Sequence, residues 1–263
     1  MRGLHTPVRA IRRRVFKEVA QLGFKADADT LLADMEAIPY AIVNEDSEKY
    51  RESVYRARAI VRERLRLAMG LSLRPENKPV HLTAGVEASN ISEKYYEPPL
   101  MQVIPSACES CEENKYEVSN ICKGCLAHPW QEVCPKDAIS MVNGRSYIDQ
   151  EKCIKCGKCK SVCPYDAIAK KERPCQKACG VNAIKSDKMG RAYIDNEKCV
   201  SCGMCMVSCP FGAISDKSQI FQLARALSEG ENVIAEIAPA FVGQFGDNIT
   251  CLLYTSPSPR DRT

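Results

Sequence analysis

Apolar positions follow two rhythms along this chain, and the change of rhythm divides it. Up to about residue 75 they recur with a helical period: Val8, Ile11, Val15, Val19 and Leu22 share one face, as do Tyr50, Val54, Ala57, Val61, Leu65 and Ala68. Thr6 and Pro7 predict the cap and first turn of the first helix, with Gly23 and Gly70 as stops. A shorter helix is predicted from Thr30 to Ala37, ending before Pro39. Residues 1–75 therefore read as a helical region. The next stretch, 76–105, contains Pro79, Pro98, Pro99 and Pro105 and predicts a linker or an extended wrap.

Beyond it the apolar runs shorten to strand length, and the pattern repeats. Residues 134–159 read C-P-K-D-A-I-S-M-V-N-G-R-S-Y-I-D-Q-E-K-C-I-K-C-G-K-C. Residues 179–205 read C-G-V-N-A-I-K-S-D-K-M-G-R-A-Y-I-D-N-E-K-C-V-S-C-G-M-C, and the two align end to end with one residue inserted. The shared A-I…G-R-x-Y-I-D segment predicts a β-hairpin turning at Asn143-Gly144 in the first copy and at Met189-Gly190 in the second. Ser215 to Ser228 then predicts an amphipathic helix stopped by Gly230, and Val233 to Ile237 an apolar strand.

The repeat is punctuated by cysteine, which accounts for 16 of the 263 residues. Cys153, Cys156, Cys159 and Cys163 form C-x2-C-x2-C-x3-C-P, and Cys199, Cys202, Cys205 and Cys209 form it again. This is the run that holds [4Fe–4S] clusters in bacterial-type ferredoxins, where the fourth cysteine serves the other cluster of a pair. A structural zinc ion takes ligands in separated pairs, which so dense a run does not offer. The expected fold is α+β, with a duplicated ferredoxin-type domain over residues 106–215 and repeats at about 120–165 and 170–212.

Aligning the copies assigns the less regular cysteines. Crossing the fourth ligand between runs gives four sets. Cys153, Cys156 and Cys159 take Cys134; Cys199, Cys202 and Cys205 take Cys179; Cys108, Cys111 and Cys175 take Cys209. The fourth set joins Cys122, Cys125 and Cys163, but the position matching Cys175 is Trp130. Indole cannot ligate iron, so that set is either a three-cysteine site, holding a [3Fe–4S] or labile cluster, or a cysteine codon misread by one base. Two [4Fe–4S] clusters are expected from the regular runs and up to four in all. An alternative count places zinc on Cys108, Cys111, Cys122 and Cys125. His128, next to this loop, is expected to be an ordinary loop histidine.

Charge changes this picture little. The formal net charge of +4 omits the clusters, each about −2 with its thiolates, so it points to no nucleic-acid partner. Arg12 to Arg14, and Arg56, Arg58, Arg62, Arg64 and Arg66, are expected on solvated helix faces, or as a docking face for an acidic redox partner. The N-terminus lacks a signal-peptide core, and no apolar run approaches the ~18 residues of a membrane span. A chain so rich in cysteine is then expected in the reducing cytoplasm.

Five features together resemble the N-terminal accessory half of a monomeric, ferredoxin-dependent [FeFe]-hydrogenase. They are I-P-Y at 38–40, A-C-E-S-C at 107–111, C-K-G-C-L-A-H-P at 122–129, the duplicated cysteine runs, and I-A-P-A-F-V-G-Q-F at 237–245. The resemblance implies a relay of clusters between soluble ferredoxin, or a similar redox protein, and a catalytic domain that follows it. No catalytic residue of that domain occurs here. Residues 216–250 are expected to open the missing α/β catalytic domain. Residues 251–261, C-L-L-Y-T-S-P-S-P-R-D, resemble a translated sequencing adapter; 251–263 are expected to be an artefactual tail and Cys251 no ligand. A polyferredoxin-type electron-transfer subunit of another oxidoreductase is the alternative.

Overall fold

The computed structural model describes residues 5–25, 30–44, 51–90 and 97–234. Three helices come first: α1 (Pro7–Lys25), α2 (Leu31–Ile42) and α3 (Val54–Ala68). Val15, Val19 and Leu22 of α1 and Ala57, Val61, Leu65 and Ala68 of α3 are buried in one core, on the faces their spacing predicts. Thr6 caps α1 through its Oγ1, which accepts from Arg9 N at 3.3 Å; Ser53 caps α3 by accepting from Arg56 N at 3.1 Å.

Two helix ends differ from expectation. α2 runs through Pro39 to Ile42, because Ile38, Pro39 and Ile42 are all buried and their packing outweighs one missing backbone donor. Gly23 lies inside α1 and is not its stop. A Cβ there would come within 2.7 Å of the Ala224 Cβ and the Phe221 carbonyl, so glycine is what lets another helix approach. The proline-rich stretch lies along the helices: Leu82 and Val86 are buried in their core, and α4 (Val86–Ser89) forms one short turn there.

The cysteine-bearing part comprises β1 (Met101–Val103), β2 (Lys115–Val118), α5 (Pro129–Val133), β3 (Ile139–Val142), β4 (Arg145–Ile148), α6 (Lys158–Val162), β5 (Ile168–Lys171), α7 (Pro174–Lys177), β6 (Ile184–Ser186), β7 (Ala192–Ile194), α8 (Met204–Ser208), β8 (Ile214–Asp216) and finally α9 (Ile220–Ser228). Both expected hairpins are present, β3–β4 and β6–β7. Asn143 and Gly144 have φ of 50° and 74°, the signature of the two-residue turn. In the second hairpin the inserted residue is absorbed by Asp187, whose Oδ1 accepts from Met189 N and Arg191 N.

Strand pairing shows how the copies fit together. β2 pairs antiparallel with β5, closing one module around β3–β4. β1 pairs with β8, Val103 opposite Ile214, closing a second module around β6–β7. The first module is therefore nested inside the second, between its first strand and its remainder. Equivalent residues fill the two cores: Ile139 and Ile184, Ile148 and Ile194, Cys159 and Cys205, Ile168 and Ile214.

Arg13 and Arg14 of α1 are exposed as expected, but the arginines of α3 do not form a solvated face. Arg64 and Arg66 are buried. Arg64 donates to the Gly212 carbonyl, Arg56 to that of Ser106 at 2.8 Å and Arg51 to that of Phe211 at 2.6 Å. Arg66 binds the carbonyls of Leu82 and Ala84 at 2.7 and 2.8 Å. Arg51, Arg56 and Arg64 thereby tie α3 and the residues before it to the cysteine loops, and Arg66 ties it to the proline-rich stretch, each satisfying carbonyls that no secondary structure satisfies. After β8, which takes up Ser215 and Asp216, α9 begins at Ile220 and returns to α1, with Phe221 in the helical core. In the expected strand Val233–Ile237, Val233 and Ile234 are not in strand conformation. The remainder, the 237–245 stretch and the tail lie outside the described residues.

Candidate metal centres

Four cysteine loops share one backbone device. In the leading C-x2-C pair of each loop the residue before the second cysteine has positive φ: Ser110 at 46°, Gly124 at 59°, Lys155 at 60° and Ser201 at 54°. This left-handed residue bends the loop so that both thiols face one side. At Gly124 glycine is required, since a Cβ would sit 2.1 Å from the Gly144 carbonyl oxygen.

A second device follows each lone cysteine. In C-x3-A the alanine N–H donates back to the thiol: Ala138 to Cys134 at 3.3 Å, Ala167 to Cys163 at 3.4 Å, Ala183 to Cys179 at 3.2 Å and Ala213 to Cys209 at 3.3 Å. The residue before each alanine, Asp137, Asp166, Asn182 or Gly212, again has positive φ. A further donor comes from a C-x2-C loop, Lys155 N to Cys153 at 3.4 Å. The recurring C-x2-[D/N/G]-A-I was the signal for the others. N–H groups aimed at sulfur favour the thiolate form and tune a bound cluster.

These loops bring most of the expected sets together. Cys108, Cys111, Cys175 and Cys209 line one cavity; Cys134, Cys153, Cys156 and Cys159 line another. In the second module the Cys205 thiol is pushed up to about 11, by burial first and also by Cys199, Cys202 and Cys179 around it. Burial likewise pushes Cys175 up to about 12, with Cys209 and Cys108 adding to it, and raises Cys111 and Cys159. Thiols crowded in apolar surroundings are poor as free acids and suit a cationic iron core that takes their protons' place.

The donor sets suit clusters better than single ions. Among the described residues no group of three or more Cys, His, Asp or Glu is placed to hold one metal ion; zinc would draw every thiolate to about 2.3 Å. A four-iron core spreads its ligands over four corners. The Cys108–Cys111 pair shares its cavity with Cys175 and Cys209, so the geometry gives no support to a zinc site shared with Cys122 and Cys125.

The fourth set does not fit a [4Fe–4S] cluster. Trp130 is 4% exposed and packs among Tyr116, Ile139, Ile148, Cys159 and Ile168, the place Cys175 holds in the other module's core. Its Nε1 is buried without a hydrogen-bond partner. Cys122 Sγ instead lies 3.8 Å from the Ser146 hydroxyl. Burial pushes that thiol up, but the backbone donors at Ser146 and Gly124 and the Ser146 hydroxyl outweigh it and hold it below its ordinary value. Cys125 and Cys163 are half-buried nearby in the chain's first module.

Arg173 escaped notice in the sequence. It precedes Pro174-Cys175 and is 2% exposed. Its guanidinium donates to the Cys111 carbonyl at 3.1 and 2.8 Å and to that of Gly190 at 2.8 Å, pinning the Cys108–Cys111 loop to the β6–β7 hairpin. In the first module R-P-C becomes H-P-W. His128 occupies the arginine's position, 5.2 Å from the Trp130 ring.

Comparison with known proteins agrees with this geometry. The 4Fe-4S binding domain family matches residues 146–169 and 192–215. An uncharacterized ferredoxin of Methanocaldococcus jannaschii is 32% identical over 30% of this chain and 63% of its own length. The electron transport protein HydN of Escherichia coli is 35% identical over 27% of this chain and 41% of its own. A 7Fe ferredoxin of Hydrogenibacillus schlegelii is 42% identical over 20% of this chain and 68% of its own length. The chain spans less than two thirds of the first two. With two cluster-binding units and more than two thirds of a ferredoxin matched at 42% identity, the chain belongs to the ferredoxin family and is an iron–sulfur electron-transfer module that binds [4Fe–4S] clusters.

Proposed function

We propose that the chain is a relay of three [4Fe–4S] clusters, passing single electrons between a soluble ferredoxin-type carrier and a catalytic domain on the same polypeptide that resembles that of [FeFe]-hydrogenase. The observation that carries the relay is the gathering of Cys134 with Cys153, Cys156 and Cys159, and of Cys108 and Cys111 with Cys175 and Cys209. The third set is Cys179 with Cys199, Cys202 and Cys205, the first three lying close enough to add to the upward push on the Cys205 thiol. When bound, each cluster supplies one-electron chemistry. The chain's residues hold it by four thiolates, aim backbone N–H groups at the sulfurs, and pack Ile139, Ile184 and their neighbours so that water is kept away.

The hydrogenase partner rests on the sequence features at 38–40, 107–111, 122–129 and 237–245. Coding DNA beyond residue 250 tests it: a reading frame with no cysteine motifs for a catalytic cluster would leave a polyferredoxin-type subunit of another oxidoreductase. The relay itself is tested by iron and sulfide analysis with electron paramagnetic resonance of the reduced protein. About twelve irons per chain, from three four-iron sets, and magnetically coupled signals are expected. A single isolated cluster would overturn it.

A further inference from the structure

Two homologous cluster sites, built on one backbone plan, present opposite surfaces. Around Cys134, Cys153, Cys156 and Cys159 stand Lys136, Lys155, Lys158 and Lys160, all exposed. At the matching positions around Cys179, Cys199, Cys202 and Cys205 stand Val181, Ser201, Met204 and Met206. Every one of the four lysines is replaced by a neutral residue. The flanking Glu151 and Lys152 recur as Glu197 and Lys198 and cancel from the comparison; Asp137 recurs as Asn182. Over the aligned residues 134–160 and 179–206 the first copy is more positive by two charges, and its surplus is gathered at these lysines beside the cysteines, although Glu132 just upstream matches Lys177 in the second copy.

None of these four lysines is spent on an ion pair among the described residues, whereas Lys115, Lys170, Lys171 and Lys185 are all paired. Lys136 and Lys158 line the cavity itself together with Ile154. Cys156 is exposed, and Ile154 beside it is 55% exposed. The site thus combines an exposed ligand, an apolar contact and a ring of free cations.

We infer that this face is where an acidic one-electron carrier protein docks, its acidic rim on Lys136, Lys155, Lys158 and Lys160 and its centre against Ile154 and Cys156. The inference rests on the electron-transfer reading of the chain. Unpaired like charges around a small contact steer an oppositely charged partner and raise its encounter rate by about 10 to 1,000 fold, an effect that salt removes. A cluster held by Cys134, Cys153, Cys156 and Cys159 would supply the one-electron acceptor: the reduced carrier would give up one electron and the cluster would take it, with no proton or covalent bond moving. The matching face of the second module, with Val200 and Val181 exposed, has neutral residues at all four of these lysine positions.

The test is stopped-flow reduction of the holoprotein by a reduced acidic plant-type ferredoxin, followed across ionic strength, for the native chain and for K136E/K158E/K160E. A tenfold or greater fall in the second-order rate at low salt, with loss of the salt dependence, is expected. Iron content and broad visible absorbance verify that the variant is folded, and K158Q/K160Q, expected to show a smaller fall, serves if it is not. Photoreduction by a neutral deazaflavin separates two failures. Clusters that take no electrons from it overturn the electron-transfer reading. Clusters that do, with an unchanged ferredoxin rate in the variant, overturn the docking face alone. A shifted midpoint potential with an unchanged salt dependence would make the lysines tuning charges and overturn it too, as would equally tight binding of a DNA duplex.

Discussion

The inner module, β2 to β5, and the outer one, β1 with α7 to β8, share one plan of strand pairing and cysteine loops, and the differences at their cluster sites come down to a few side chains. Both use a left-handed residue inside each C-x2-C pair and an alanine N–H behind each lone cysteine. The outer module completes both of its sites. The inner module completes one and fills the other with Trp130 and His128 where its sibling has Cys175 and Arg173. The backbone plan therefore accommodates a bulky apolar group where its sibling places a candidate ligand. A cavity left there would cost more than the substitution itself.

The sharpest way to break this comparison is to restore the missing ligand. Trp130→Cys is expected to add about four irons per chain on reconstitution, read by iron and sulfide analysis and a new paramagnetic signal. An unchanged iron count would mean that the inner module's second site has lost more than one ligand. The reciprocal change, Cys175→Trp in the outer module, is expected to remove about four irons while leaving the inner site's signal in place.

Smaller effects should follow from the residue before that position. Arg173→Ala leaves the Cys111 and Gly190 carbonyls without their buried donor and is expected to destabilise the holoprotein by about 3 kcal/mol, measured by guanidinium unfolding. His128→Ala, at the half-exposed equivalent, is expected to cost about 0.5 kcal/mol or less. Gly124→Ala should cost at least about 1 kcal/mol, given its positive φ and the Gly144 oxygen beside it, whereas Ser110→Ala at the outer equivalent should be near neutral.

The least effect is one of order of reaction. In the cluster-free protein at neutral pH, Cys175 and Cys205 remain protonated because their thiols are pushed far above the ordinary value. Cys122 is held below it. Pulsed alkylation with mass mapping should therefore label Cys122 and the exposed Cys156 and Cys202 early, and Cys175 and Cys205 last. Raising the pH toward 11 should narrow the gap first at Cys205, whose thiol then begins to ionise.

Much of this was legible in the sequence because cluster ligation leaves little freedom in spacing. The two C-x2-C-x2-C-x3-C-P runs, the A-I…Y-I-D hairpins and the helical faces of α1 and α3 all stand where the pattern puts them. What was not legible depended on partners distant in sequence. Gly23 looked like a helix stop because nothing nearby shows that α9 must pack against it. The arginines of α3 looked like a solvated face because their acceptors are carbonyls near residues 106 and 212, which no periodicity reveals. Ser215 and Asp216 looked like the start of a helix until β1 claimed them as a strand. The nesting of one module inside the other was not legible either, because β1 and the Cys108–Cys111 pair are separated from the rest of their module, which resumes only at Arg173.

That interrupted layout bears on how the protein is made. A chain emerging from synthesis completes β2 through β5 while the outer module still lacks α7, β6, β7, α8 and β8. Cys108 and Cys111 must then wait, reduced and without their partners, until Cys175 and Cys209 arrive, while the inner site can already accept iron and sulfide. The inner module's ligands are thus all present on the chain before the outer module's are. A polypeptide released before β8 would leave the protein holding a finished inner module and a pair of unclaimed thiols.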